Sequence, residues 1–144
     1  MKTLTEKFGI KEGMRCTLRN VPQDLGRVLG AGSGRWATRL QGEFDRIIYF
    51  ASGERSAVRA LQSFKKHVKV GGTLWFCWQK GRQKTTGLSL PVVIKHAYDA
   101  EFVESQVFSV SDAWSAIKLT HPKSGKAYAN SFGTLPTKVS PPGN

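Results

Sequence analysis

Apolar positions along this chain fall into short strand-like runs separated by one clear helical stripe, a mixture that predicts alternating strands and helices. Met14, Cys16 and Leu18 alternate with Arg15 and Arg19, so Met14–Arg19 is expected as a strand. Asn20-Val21-Pro22 breaks it, and Pro22 to about Leu29 suits a short helical turn. Gly30 to Gly34 reads as a loop and Arg35–Gln41 as a weak strand. Phe44–Phe50 is apolar and aromatic enough for a central strand covered on both faces. Ala57, Leu61, Phe64 and Val68 then recur at three- and four-residue spacing, predicting a helix from about Gly53 to Val70. Ser52 is its expected N-cap, Glu54 suits its positive end, and Gly71-Gly72 is its expected stop. Thr73–Trp78 is the next central strand, and Ser89 caps a helix running from Leu90-Pro91 to about Tyr98.

Glu101–Val110 and Ala113–Thr120 are joined only by Ser111-Asp112, a link too short for anything but an antiparallel hairpin. Strand–helix alternation before them implies parallel strands with right-handed crossovers. The expected class is therefore α/β: a three-layer Rossmann-like sheet, mostly parallel, with a C-terminal antiparallel hairpin. Residues 1–120 form one such domain. From His121 to Asn144 the chain has Pro, Gly, Ser, Thr and Lys without hydrophobic period, and is expected as an extended or disordered basic tail.

Charge changes the picture next. The 144 residues carry 22 Lys or Arg against 10 Asp or Glu, a formal net charge of +12. Between Glu54 and Asp99 there is no acidic residue at all. Such an excess favours polyanions or simple solubility and does not specify a fold. Cys16 and Cys77 sit in apolar segments without a metal or redox spacing, which suits buried thiols in a reducing cytoplasm. No apolar run approaches the ~18 residues of a membrane span, and residues 1–13 lack a signal-peptide core. A soluble cytoplasmic protein is expected. His67, His96 and His121 have no zinc spacing, and no paired carboxylates, Ser/His/Asp set or Walker loop occurs, so neither a metal, a cofactor nor catalysis is implied.

The strongest site candidate is the loop after the Thr73–Trp78 strand, with Lys80, Arg82, Lys84, Thr85 and Thr86. Ligands of open α/β sheets gather at strand carboxyl ends, and these groups suit a phosphate or carboxylate. Arg55, Arg59, Lys66 and Lys69 form a cationic stripe on the helix face opposite its apolar one. A solvated loop and a solubilising helix face account for the same residues. Trp75 and Trp78, three apart in a strand, face opposite sides of the sheet, leaving Trp78 as the better ligand contact. Trp114 either stacks on a base or closes the sheet edge, and Trp36 is unassigned. The leading expectation is a non-catalytic module for an anionic partner, RNA or DNA backbone or a phosphate-containing ligand. A degenerate transferase holding a nucleotide-like molecule near Asn20, Asp45 and Trp78 is the alternative, and an adaptor or self-association module using Trp114 and the edge hairpin is a third.

Phe44 to Thr120, with Lys69-Val70-Gly71-Gly72 leading into a strand, resembles the carboxyl half of class I methyltransferases. Gly30-Ala31-Gly32-Ser33-Gly34 is similar to their S-adenosylmethionine turn, but glycine stands where an acid normally precedes it. Only Arg35–Glu43 then separate it from the next strand, leaving no room for the segments that carry the ribose-binding acid. Gly9-Ile10-Lys11-Glu12-Gly13-Met14-Arg15, Phe44-Asp45-Arg46-Ile47-Ile48, Gly72-Thr73-Leu74-Trp75, Trp78-Gln79-Lys80 and Asp112 to Lys118 resemble, in order and spacing, the bacterial group known as domain of unknown function 3052. That resemblance covers Phe8 to Leu119 and implies a trimmed methyltransferase fold without naming a reaction. The chain departs from the group's pattern at Gly87, where an acidic residue tends to follow Thr86.

Overall fold

A computed structural model describes residues 2–30 and 34–135. Its elements in chain order are α1 Leu4–Lys7, β1 Arg15–Arg19, α2 Gln23–Gly30, β2 Arg35–Ala37, β3 Phe44–Phe50, α3 Glu54–Phe64 and β4 Val68–Gln79. They continue with α4 Gln83–Thr86, α5 Leu90–Asp99, β5 Val103–Ser109, β6 Trp114–Thr120, β7 Tyr128–Asn130 and β8 Gly133–Leu135. The main sheet has the order β2-β1-β3-β4-β6-β5, in which only β6 runs against its neighbours. The mostly parallel Rossmann-like sheet with a terminal antiparallel hairpin is what the hydrophobic pattern implied.

Strand alternation splits the core between two faces. Ile47, Tyr49, Leu74, Phe76 and Trp78 meet Ala57, Leu61 and Phe64 of α3 and Val93 and Ala97 of α5. On the other face Cys16, Ile48, Phe50, Trp75 and Cys77 pack under Phe8 and Leu29. Each fully buried Phe, Ile or Leu here contributes about 1.5–3 kcal/mol. Phe8 is fixed by more than packing, because its carbonyl accepts from Trp75 Nε1 at 3.0 Å and Arg46 Nε at 3.1 Å. Thr3 and Glu6 close the α1 start with reciprocal side-chain bonds, which delivers Phe8 to that place.

Three expected elements differ. The α3 helix stops at Phe64, and Val68, in phase with the helical stripe, instead pairs with Phe44 as the first residue of β4. Gly71-Gly72 therefore form a bulge inside β4, between the Phe44↔Val68 and Arg46↔Thr73 pairs. A Cβ on Gly72 would lie 2.9 Å from the carbonyl oxygens of both Lys69 and Phe44, so that strand pairing requires glycine. Gly53, not Ser52, occupies the α3 N-cap. The weak strand at 35–41 shortens to Arg35–Ala37. Within the segment expected as a tail, β7 and β8 pair, and Leu135 is buried against Tyr98 and Val103.

The shortened β2 has a consequence for β1. Residues 38–43 must pass from the carboxyl end of β2 to the amino end of β3 without a helix. Six residues reach at most about 20–22 Å, and crossing a five-residue strand takes about 17 Å, so the strap is nearly straight. Alternate β1 side chains hold it. Thr17 Oγ1 donates to Ala37 O at 2.9 Å, Arg19 Nη1 to Thr38 O at 3.1 Å, and Arg15 to Gln41 O and Glu43 O at 2.6 and 2.7 Å.

Candidate functional site at the strand carboxyl ends

The crossing of chain directions between β1 and β3 is the point at which an open α/β sheet leaves a crevice at its carboxyl edge. Here Asn20, in left-handed backbone with φ 57°, spans that notch by donating Nδ2 to Phe50 O at 2.7 Å. Next to it, at the carboxyl ends of β1 and β2, lies a slot of about 290 Å³ lined by Leu18, Val21, Gly30, Trp36, Ala37 and Thr38. Trp36, one of these lining residues, has its Nε1 buried without a hydrogen-bond acceptor among the described residues. An orphaned buried N–H carries the desolvation cost of an unmade bond, about 1–3 kcal/mol. Arg19 donates to Thr38 O and has no carboxylate partner among the described residues. Larger cavities of about 580 and 490 Å³ flank His121–Ser124, beside Gly71-Gly72 at the opposite, amino edge. The smaller slot has the position at which open α/β sheets take their ligands.

The basic loop is engaged in the fold. Lys80 Nζ donates to Ser109 Oγ and to Ser111 O, tying the end of β4 to the β5–β6 turn. Arg82 is the N-cap of α4, and its carbonyl accepts from the amides of Thr85 and Thr86 and from Thr86 Oγ1. The Thr86 hydroxyl also accepts from Leu88 N at 3.1 Å, leaving it buried and paired. Lys84 and Thr85 are exposed. On the helix side Arg55, Arg59 and Lys66 are exposed, while Lys69 lies in β4, 3.6 Å from Asp45. Because α3 ends at Phe64, Arg55 and Arg59 lie on the helix whereas Lys66 and Lys69 lie beyond it, so the expected four-residue stripe is not carried by one helix.

The expected cleft residues do not meet. Asn20 is at the carboxyl edge, whereas Asp45 begins β3 at the amino edge, where Oδ2 accepts from Arg15 N at 2.9 Å. Trp78 is 7% exposed and packs beside Phe76 in the core. Trp114 is half-buried and meets Phe50 edge-on, at 5.1 Å between ring centres. Trp36, left unassigned by the sequence, lines the slot, while the alternation of Arg15, Thr17 and Arg19 marks strap contacts whose partners are visible only once the strap is placed. One further pair joins helices near this edge: His96 Nε2 lies 2.6 Å from Glu54 Oε2, linking α5 to the first turn of α3. A Cβ at Gly34 of the glycine run would lie 3.1 Å from Ile10 and 3.4 Å from Cys16 Sγ, and Ala31–Ser33 lie outside the described residues. The turn after β1 is Asn20-Val21-Pro22, without a glycine.

The chain has the Rossmann-like fold of class I methyltransferases. It is similar in structure to an S-adenosylmethionine-dependent methyltransferase from Aquifex aeolicus, at TM-score 0.55 and 13% identity over 81% of this chain and 86% of that one. A magnesium protoporphyrin IX methyltransferase from Synechocystis with bound S-adenosylmethionine gives 0.55 and 12%, covering 83% and 74%. A TehB-like methyltransferase from Corynebacterium glutamicum gives 0.52 and 12%, covering 83% and 85%. No protein-family model matches the sequence, and no curated protein matches it. These neighbours overturn the leading expectation of a non-catalytic module for an anionic partner, RNA or DNA backbone or a phosphate-containing ligand. They favour the nucleotide-like small-molecule alternative. Among the described residues no cluster of three metal-ligating side chains occurs, and no helix is long and apolar enough to cross a membrane.

The residues at this edge fit S-adenosylmethionine poorly. The slot is lined by no carboxylate, and Ala37-Thr38-Arg39 at the end of β2 offer none to a ribose diol. Residues 31–33 add none by sequence. Pro22 has no N–H to offer in the turn after β1.

Proposed function

We propose that this chain is a methyltransferase-fold protein of the group known as domain of unknown function 3052 that binds a nucleoside-type small molecule between Leu18 and Trp36. The observation that carries this reading is the slot at the carboxyl ends of β1 and β2, lined by Trp36, whose Nε1 is buried without an acceptor among the described residues. Its volume stands at the lower end of the ~300–1,000 Å³ of small-molecule sites, enough for a base and its sugar. Apolar Leu18, Val21 and Ala37 suit the faces of a base, and an indole N–H suits a ring nitrogen or carbonyl acceptor. The buried thiols Cys16 and Cys77 fit a reducing, cytoplasmic setting.

Nitrogen-15 spectra of the tryptophan indoles provide the test. Adenosine or guanosine should shift one of the four indole resonances, the one lost in Trp36→Phe. A titration that leaves that resonance unmoved at millimolar ligand refutes the slot as a nucleoside site.

A further inference from the structure

We infer a second binding site, at the amino edge of the sheet, that takes an α-amino acid with an apolar side chain. Two adjoining cavities there, of about 580 and 490 Å³, share His121–Ser124 as a common wall. Both volumes fall within the ~300–1,000 Å³ of small-molecule sites. Their linings differ in chemistry. The larger cavity carries Glu101, Lys123 and Lys126 beside His121, whereas the smaller adds Val70, Gly71 and Gly72 and is the more apolar.

Two residues of the larger cavity supply acceptors for an ammonium group. Glu101 stands just beyond α5 in left-handed backbone, at φ 62°, where Phe102 N reaches back to Ala97 O at 2.9 Å. Glycine adopts that backbone without steric cost, so the glutamate is held under strain, and strained residues of this kind cluster at ligand sites. Its carbonyl accepts from Lys65 Nζ, while its carboxylate has no ion-pair partner among the described residues. His121 is oriented twice. Its ring stacks on Phe102 at 5.6 Å between centres, and its Nε2 donates to Val68 O at 2.7 Å. That bond keeps the proton of the neutral ring on Nε2 and leaves a lone pair on Nδ1, which is neither buried nor partnered among the described residues.

One turn supplies the opposite charge. Lys126 N bonds Lys123 O at 3.2 Å and Gly125 takes φ 79°, so 123–126 is a β-turn with a lysine at each end. Tyr128 ties this turn to β7, since its hydroxyl accepts from Lys123 N at 3.1 Å and its ring lies 4.9 Å from Lys126 Nζ. A carboxylate alone would meet Glu101, and an amine alone would meet two lysines. A zwitterion satisfies both signs. The adjoining cavity then receives the side chain, which covers Val70, 86% exposed at the β4 bulge.

Calorimetric titration of the full chain with L-leucine, L-phenylalanine, glycine, isovalerate and isoamylamine tests this. Leucine or phenylalanine should bind about ten-fold or more tightly than glycine and than either half-ligand. Glu101→Gln should weaken that binding by about ten-fold or more. Glu101→Gly relieves the left-handed backbone, so it should raise the melting temperature while losing the same binding, which separates ligand contact from loss of fold. Either half-ligand binding as tightly as leucine overturns the inference, as does undiminished binding in Glu101→Gln. No heat from leucine or phenylalanine at millimolar concentration overturns it equally. Failure here leaves the nucleoside reading standing, because the β1–β2 slot lies at the opposite edge of the sheet.

Discussion

Arg15 stacks its guanidinium over the ring of Phe44, 3.9 Å from the ring centre, while its two terminal nitrogens bond the carbonyls of Gln41 and Glu43. One side chain thereby fixes the end of the 38–43 strap to the start of β3. Thr17 and Arg19, at the next two alternate positions of β1, fix its beginning. The strap replaces a crossover helix, so β1 and β3 can be neighbours with almost no chain between β2 and β3.

Replacing Arg15 by Ala should destabilise the fold by about 2 kcal/mol, from two charge-assisted bonds and a stacked stem. Lysine should not restore it, since an ammonium cannot reach two carbonyls in fork geometry. Urea unfolding of the wild type, Arg15→Ala and Arg15→Lys measures this. A loss below about 0.5 kcal/mol in both variants, the scale of an ordinary surface substitution, would show that the strap holds without the clasp.

At the bulge of β4, Gly72→Ala should cost about 2–3 kcal/mol, because its Cβ falls on two backbone oxygens at 2.9 Å that cannot move without parting β3 from β4. Gly81→Ala, at φ 67° with nothing within 4 Å, should cost only about 1 kcal/mol. Thermal unfolding of the two variants should rank them in that order.

Cysteine titration predicts a pH dependence. Burial pushes the Cys16 thiol up to about 11, against the opposing charge of Arg46, and burial likewise raises Cys77. A raised folded-state pKa contributes stability that is whole below the unfolded value near 9 and is lost as pH climbs toward 11. Stability should therefore fall across that window, less steeply in Cys16→Ala. Alkylation by iodoacetamide at about pH 8 should be slow in the native protein and fast in urea. Rapid native alkylation of both thiols would contradict their burial.

The C-terminal hairpin should be a separable, low-stability unit. Leu135→Ala should remove much of its docking, about 1–2 kcal/mol, since Leu135 is its buried contact with Tyr98 and Val103. Hydrogen exchange should then lose protection at Tyr128–Asn130 and keep it in β3 and β4. Loss of protection throughout would mean the hairpin is part of the core.

The elements that periodicity located well are those whose burial is set by local pattern: β3, the interior of β4, α5 and the β5–β6 hairpin. Val68 shows the limit. Its spacing from Phe64 fits a helix, yet pairing with Phe44 across the sheet decides its state, and that partner lies far away in sequence. The hairpin at 128–135 was invisible for a related reason, since its few apolar residues, Tyr128 and Leu135, have no period of their own and become ordered only against Tyr98 and Val103. The candidate site was barely legible. Charge density drew attention to Lys80, Arg82 and Lys84, but charge reports a long-range field and not which side chain, here Lys80, the fold ties to a neighbouring turn.

By itself the sequence determined the class of fold, the order of its main elements and the residues that make its two-sided core, because these depend on hydrophobic period and chain connectivity. Only the tertiary structure decided that Asn20 closes the β1–β3 notch, that Arg19 holds Thr38 O, and that Trp36 Nε1 is buried without an acceptor among the described residues. The two bonds join residues 19 and 30 apart in the chain. Nothing in local pattern specifies them, since hydrogen-bond pairing depends on where the strap and strands come to rest.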